Sequence, residues 1–74
     1  MPLSEMAPGS PALFLSCSSQ AIYPKLADMG LIEGSTWTVI QKMPFHGPLV
    51  ISNGSSRISI REEDARFILM QKTA

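Results

Sequence analysis

Proline and glycine recur along this chain at short intervals: Pro8-Gly9, Pro11, Gly30, Gly34, Pro44, Gly47-Pro48 and Asn53-Gly54. Proline lacks a main-chain N–H and fixes φ, and glycine favours left-handed turns, so both interrupt regular elements. Only short apolar runs are left between them. Short runs bounded by turns at this spacing read as a small β-rich domain. At 74 residues the whole chain, 1–74, is one domain. Its core must offset roughly 1–2 kcal/mol of backbone entropy per residue. An apolar content of 45% makes that feasible.

The first ten residues read as a loose lead-in ending in the Pro8-Gly9 turn. Ala12 to Ser16 is a short strand. Ile22, Leu26 and Met29 fall at i, i+4 and i+7 and so share one helical face. Pro24 must sit in the first turn of that helix, which places it at about Ile22 to Met29. Gly30 is the left-handed cap, with Leu31 folding back on Leu26. Thr36 to Met43 is the strongest strand, with Trp37 and Val39 on one face. Pro44 to Pro48 breaks it, Leu49 to Ser52 follows, and Asn53-Gly54 signals a hairpin. Ser56 to Arg61 alternates, with Ile58 and Ile60 inward and Arg57, Ser59 and Arg61 outward. Glu62 to Ala65 suits one helical turn with acids at its positive end. Phe67 to Gln71 is the last strand. Phe14, Trp37 and Phe67 read as core aromatics.

Five short strands with one bare face would leave two edges, and curling them into a barrel removes both problems. The expected fold is therefore mostly β, a small, partly open SH3-like barrel of about five strands with one short α-helix and a helical turn.

Composition excludes several functions. Six Lys/Arg balance six Asp/Glu, so there is no basic excess to hold nucleic acid or an anionic membrane. The longest apolar runs, Ala12–Leu15 and Phe67–Met70, are far too short to span a bilayer. The first Lys is Lys25, so no early positive charge marks a secretory leader. Cys17 is the single cysteine and has no internal disulfide partner, which fits a reducing cytoplasm.

Chemistry is sparse. No phosphate-binding GxxxxGK[ST] loop or dinucleotide fingerprint occurs. His46 is the only base-like imidazole and lies about thirty residues from Cys17, so no nucleophile–base pair is expected. Glu62, Glu63 and Asp64 are neighbours on a helical turn and point about 100° apart, so they do not converge on one ion. His46 and these acids allow weak transition-metal contacts only. The chain is expected to have no catalytic residues, no dedicated metal site and no cofactor.

The segments KLADMGLIEGSTWTVIQKMPFHGPLVI and ISIREEDARFILM resemble those of ferrous iron transport protein A, the FeoA family. Leu26, Met29, Gly30, Leu31, Gly34, Pro44, Pro48, Ile60, Arg61, Asp64 and Ala65 sit at the family's places, and LSEMAPGSPALFL resembles its start. Met29 stands where the family usually has Leu, Glu33 where it has Pro, and His46-Gly47 where it has Gly-Asp. A histidine at a usual glycine predicts a different loop backbone there.

The resemblance implies an SH3-like barrel with added helices. It implies a cytoplasmic, non-enzymatic accessory protein that docks on the ferrous iron transporter FeoB at the inner face of the membrane and supports or regulates Fe²⁺ uptake. The alternative is a stand-alone, metal-responsive regulatory module resembling the SH3-like C-terminal domain of iron-dependent repressors. Three surfaces are candidates for contact with the partner. One is the apolar helix with Leu26, Met29 and Leu31. Another is the stiff loop bearing Phe45 and His46. The third is the strand face of Arg57 and Arg61, where Arg57, Arg61 or Arg66 is also a candidate finger for GTP hydrolysis. A free strand edge further allows weak self-association.

Overall fold

A computed structural model describes residues 1–73 of the chain. Its strands are β1 (Pro11–Cys17), β2 (Thr36–Lys42), β3 (Leu49–Ser52), β4 (Arg57–Ile60) and β5 (Ile68–Lys72). Helix α1 (Tyr23–Asp28) lies between β1 and β2, and the single turn α2 (Glu62–Ala65) joins β4 to β5. All pairings are antiparallel, in the order β4-β3-β2-β1-β5.

That order puts β4 and β5 at opposite ends of the sheet, about 19 Å apart if it were flat. Yet Ile60 of β4, Ile68 and Met70 of β5, and Phe14, Trp37, Val39, Leu49 and Ile51 of the inner strands fill one core. The sheet must therefore curl, and it does so with register shifts between Phe14 and Ser16 and between Val39 and Gln41. Such irregularities bend strands and increase twist. The result is the five-stranded, partly open barrel that the punctuation of the sequence predicts.

Helix α1 starts with Pro24 in its first turn and ends in a Schellman motif. The Leu31 N–H donates to Leu26 O (2.9 Å) and the Gly30 N–H to Ala27 O (3.0 Å), with Gly30 at φ +91°. This closure swings Leu31 back beside Leu26, and both are buried. Trp37 is buried too, with its indole N–H donating to Ser35 Oγ at 2.8 Å.

Two expectations fail. The first residues are not a loose lead-in: a 3-10 turn (Leu3–Glu5) puts Leu3 and Met6, 1% and 0% exposed, into the core. Pro2 bridges Leu69, and Met70 N–H donates to Met1 O at 2.7 Å, so this segment covers the outer edge of β5. Without those two side chains the small core would be open at that end. Phe67 is not a core aromatic but 45% exposed. With Ile68 and Met70 inward, it shares the outward face with Leu69, as period-two alternation requires.

Candidate functional site

The loop between β2 and β3 carries the most exposed apolar group of the described residues. Phe45 is 97% exposed. The Met43 N–H donates to Pro48 O (3.0 Å) and the Gly47 N–H to Pro44 O (3.1 Å). Phe45 and His46 are both left-handed, at φ +60° and +58°. Two such central residues are the pattern of a type I′ turn, whose twist matches the flanking strands. The expectation of a different backbone at His46 is thus corrected: the histidine takes the left-handed conformation itself, because the hairpin's twist demands it. Each left-handed L-residue costs about 1–2 kcal/mol. Gly47 is required for another reason, since a Cβ there would lie 2.8 Å from Met43 Cβ and 3.0 Å from Pro44 O. The hairpin therefore holds an aromatic ring in solvent on a strained, stiff turn, and such strain collects at functional sites.

A groove of about 430 Å³ separates α1 from β4 and the start of α2. Leu26 and Ile60, both buried, form its floor with half-buried Ile22. Lys25, Asp28 and Met29 stand on the α1 rim; Ser59, Arg61 and Asp64 form the other. Leu49, just past the hairpin loop, pairs with Ile60. The Phe45 turn and the Arg61 end of the groove therefore lie at the same end of the sheet.

The candidate contact residues separate accordingly. Phe45 and His46 are exposed at the hairpin tip. Met29, 39% exposed, borders the groove, whereas Leu26 and Leu31 pack the interior at 2% each because the Schellman turn folds them inward. Arg61 donates through Nε to Asp64 Oδ2 at 3.2 Å, and Arg66 pairs with Glu62 at 3.1 Å. Both pairs are exposed and so contribute little to stability. Arg57 is exposed and has no acidic partner among the described residues. Tyr23 donates its hydroxyl to Glu33, which ties α1 to the loop before β2. That hydrogen bond, burial and the Glu33 charge raise the Tyr23 pKa above its ordinary 10.0.

Sequence reasoning missed Lys25, Asp28 and Ser59 as groove residues, because nothing local says that α1 faces β4. It also missed the outward apolar group of Leu15, Phe67 and Leu69. No local signal could have found the last two, since Phe67 to Met70 is apolar in both alternating phases. Among the described residues no three His, Cys, Asp or Glu side chains come together as metal ligands. The two acids that pair with arginines, Glu62 and Asp64, are turned toward those cations instead.

Comparison with known proteins places this architecture. The FeoA domain pattern matches residues 1–72. A fusion of Fe(2+) transport protein A with the Fe(2+) transporter FeoB from Porphyromonas gingivalis is 32% identical over 69 residues, covering 92% of this chain and 8% of that protein. The chain thus spans under a tenth of the relative's length. The crystal structure of an iron uptake regulatory protein, FeoA, superposes with a TM-score of 0.85 at 34% identity, covering 99% of this chain and 96% of that one. FeoA of Stenotrophomonas maltophilia, a procaryotic SH3 domain protein crystallised with zinc, gives 0.78 at 25% identity over 96% of this chain and 89% of its own. With the family pattern running across the five-stranded SH3-like barrel from end to end, this chain belongs to the FeoA family.

Proposed function

We propose that this protein is a non-enzymatic accessory domain of ferrous iron transport that docks on the cytosolic part of a FeoB-type transporter at the inner face of the membrane. The observation that carries this reading is the Porphyromonas gingivalis relative, in which an A-type domain and the FeoB transporter are one polypeptide. Fusion gives two domains a high effective concentration, which benefits domains that must meet. The surface of this chain suits contact. An aromatic ring stands in solvent on a stiff turn, and a half-apolar groove opens at the same end of the sheet. Aromatic anchors of this kind dominate interface energetics. Among the described residues no helix is long and apolar enough to cross a membrane. The alternative, a metal-responsive regulatory module, has likeness of fold alone behind it: a manganese-dependent transcriptional repressor superposes with a TM-score of 0.86 at 14% identity, over 41% of its own chain.

The test is calorimetric titration of the full chain into the cytosolic part of the transporter, with and without GTP. Phe45→Asp and Met29→Glu probe the hairpin tip and the helix rim; both residues are exposed, so the fold tolerates the changes. Binding that weakens at least about tenfold, or 1.4 kcal/mol, in either variant supports that surface. Equal binding by both variants removes both surfaces, and absence of binding by the parent chain sinks the reading.

A further inference from the structure

The two edges of the sheet are treated differently. The outer edge of β5 is covered by the N-terminal segment, through the Pro2–Leu69 bridge and the Met70 N–H to Met1 O bond. Among the described residues the outer edge of β4 pairs with no strand. The Asn53 N–H donates to Ser56 O at 3.2 Å, which fixes the phase of the β3–β4 ladder. Antiparallel pairs alternate, so Ile58 and Ile60 point their amides and carbonyls at β3, while those of Arg57 and Ser59 point away from it. Proteins normally blunt such an edge. This one is kept to four residues with Arg57 at its start, and it runs into the groove of about 430 Å³ walled by α1, with Leu26 and Ile60 at the floor.

We propose that the free edge of β4 accepts an extended peptide segment of a partner protein as a sixth strand, laid between β4 and α1. Main-chain pairing with Arg57 and Ser59 supplies the bonds, and the groove supplies the side-chain selection. The ligand's inward residues, opposite Ile58 and Ile60, are apolar. The residue opposite Arg57 lies on the outward face and is acidic, because Arg57 has no acidic partner among the described residues and facing opposite charges stabilise a strand pair. A second copy of this chain fits less well: its own β4 offers Ile58 and Ile60, and both already pack on its own core. The proposal deepens the docking reading by naming a contact surface for it, and is tested without the transporter.

A random peptide library displayed on phage is selected against the full chain, and the enriched peptides are synthesised and titrated into isotope-labelled protein. The expected result is a motif of alternating apolar residues with an acidic end. Its binding slows amide exchange at Arg57 and Ser59 and weakens at least about tenfold in Ser59→Pro, which removes the edge donor, and in Met29→Glu, which charges the rim. Should Ser59→Pro not fold, Met29→Glu and the exchange measurement decide. No enriched peptide, or unchanged exchange at Arg57 and Ser59, overturns the proposal. A dimer of the free chain abolished by Ser59→Pro also overturns it, in favour of self-pairing. A chain that takes peptides at this edge but ignores the transporter keeps this proposal and sinks the docking reading, whereas transporter binding indifferent to Ser59→Pro does the reverse.

Discussion

The left-handed turn at Phe45-His46 makes a quantitative claim that one double substitution tests. Phe45→Asn with His46→Gly installs the residue pair that a type I′ turn favours. Left-handed φ at each L-residue costs about 1–2 kcal/mol, so the two positions hold about 2–4 kcal/mol of strain. Glycine returns about 0.5–1 kcal/mol of that through the entropy of its unfolded chain, and asparagine keeps part of its own penalty. Phe45 is 97% exposed, so losing its ring sacrifices almost no burial. The net expectation is a gain of about 1–2 kcal/mol. In a domain of this size that raises the melting temperature by roughly 4–16 °C. Calorimetric melts at fixed pH read it directly. Gly47→Ala in the same turn goes the other way, because its Cβ would meet Met43 Cβ at 2.8 Å. The docking reading adds that the stabilised double variant binds the transporter more weakly. A melting temperature equal to or below that of the parent would refute the strain argument, whatever the binding shows.

Two other expectations follow from the same geometry. Leu3→Ala removes a side chain that is 1% exposed and should cost about 2–5 kcal/mol in denaturant melts, against under about 1 kcal/mol for Leu15→Ala on the outer face; equal effects would return the N-terminal segment to a loose lead-in. Tyr23 is the only tyrosine, so phenolate absorbance reports it alone. Its raised pKa means that the Glu33 bond supports the fold below about pH 10 and is lost as pH climbs through the higher folded value. The titration midpoint should lie above 10.0 and fall toward it in Glu33→Gln; a midpoint unmoved by that change would discount the contact.

Much of the fold was legible in local chemistry. Pro24 and Gly30 bracket α1 because one lacks an amide and the other tolerates positive φ, and both act within a turn of themselves. The alternation in SRISIR places Ile58 and Ile60 inward without knowledge of the partner strand. The lead-in was illegible because Leu3 and Met6 lie in no periodic run, and their burial depends on β5, more than sixty residues away. Phe67 misled because an aromatic beside a strand start has two possible phases. Only the Cys17–Ile68 pairing fixes which one holds.

The candidate surfaces divide in the same way. Residue types alone singled out Phe45 and His46, since an aromatic between two prolines has no strand to pack in. By contrast, the helical stripe of Ile22, Leu26 and Met29 reads identically whether it faces a core or a partner. Tertiary packing buried Leu26, left Met29 on a rim and opened a groove against β4. By itself the sequence determined the strands and helices from β1 onward, their caps and turns, and the lack of charge for gripping nucleic acid, because each depends on neighbours within a few residues. Only the tertiary structure decided which edge is covered, which apolar side chains remain outside and which surfaces adjoin, because those depend on how a curled sheet brings distant segments together.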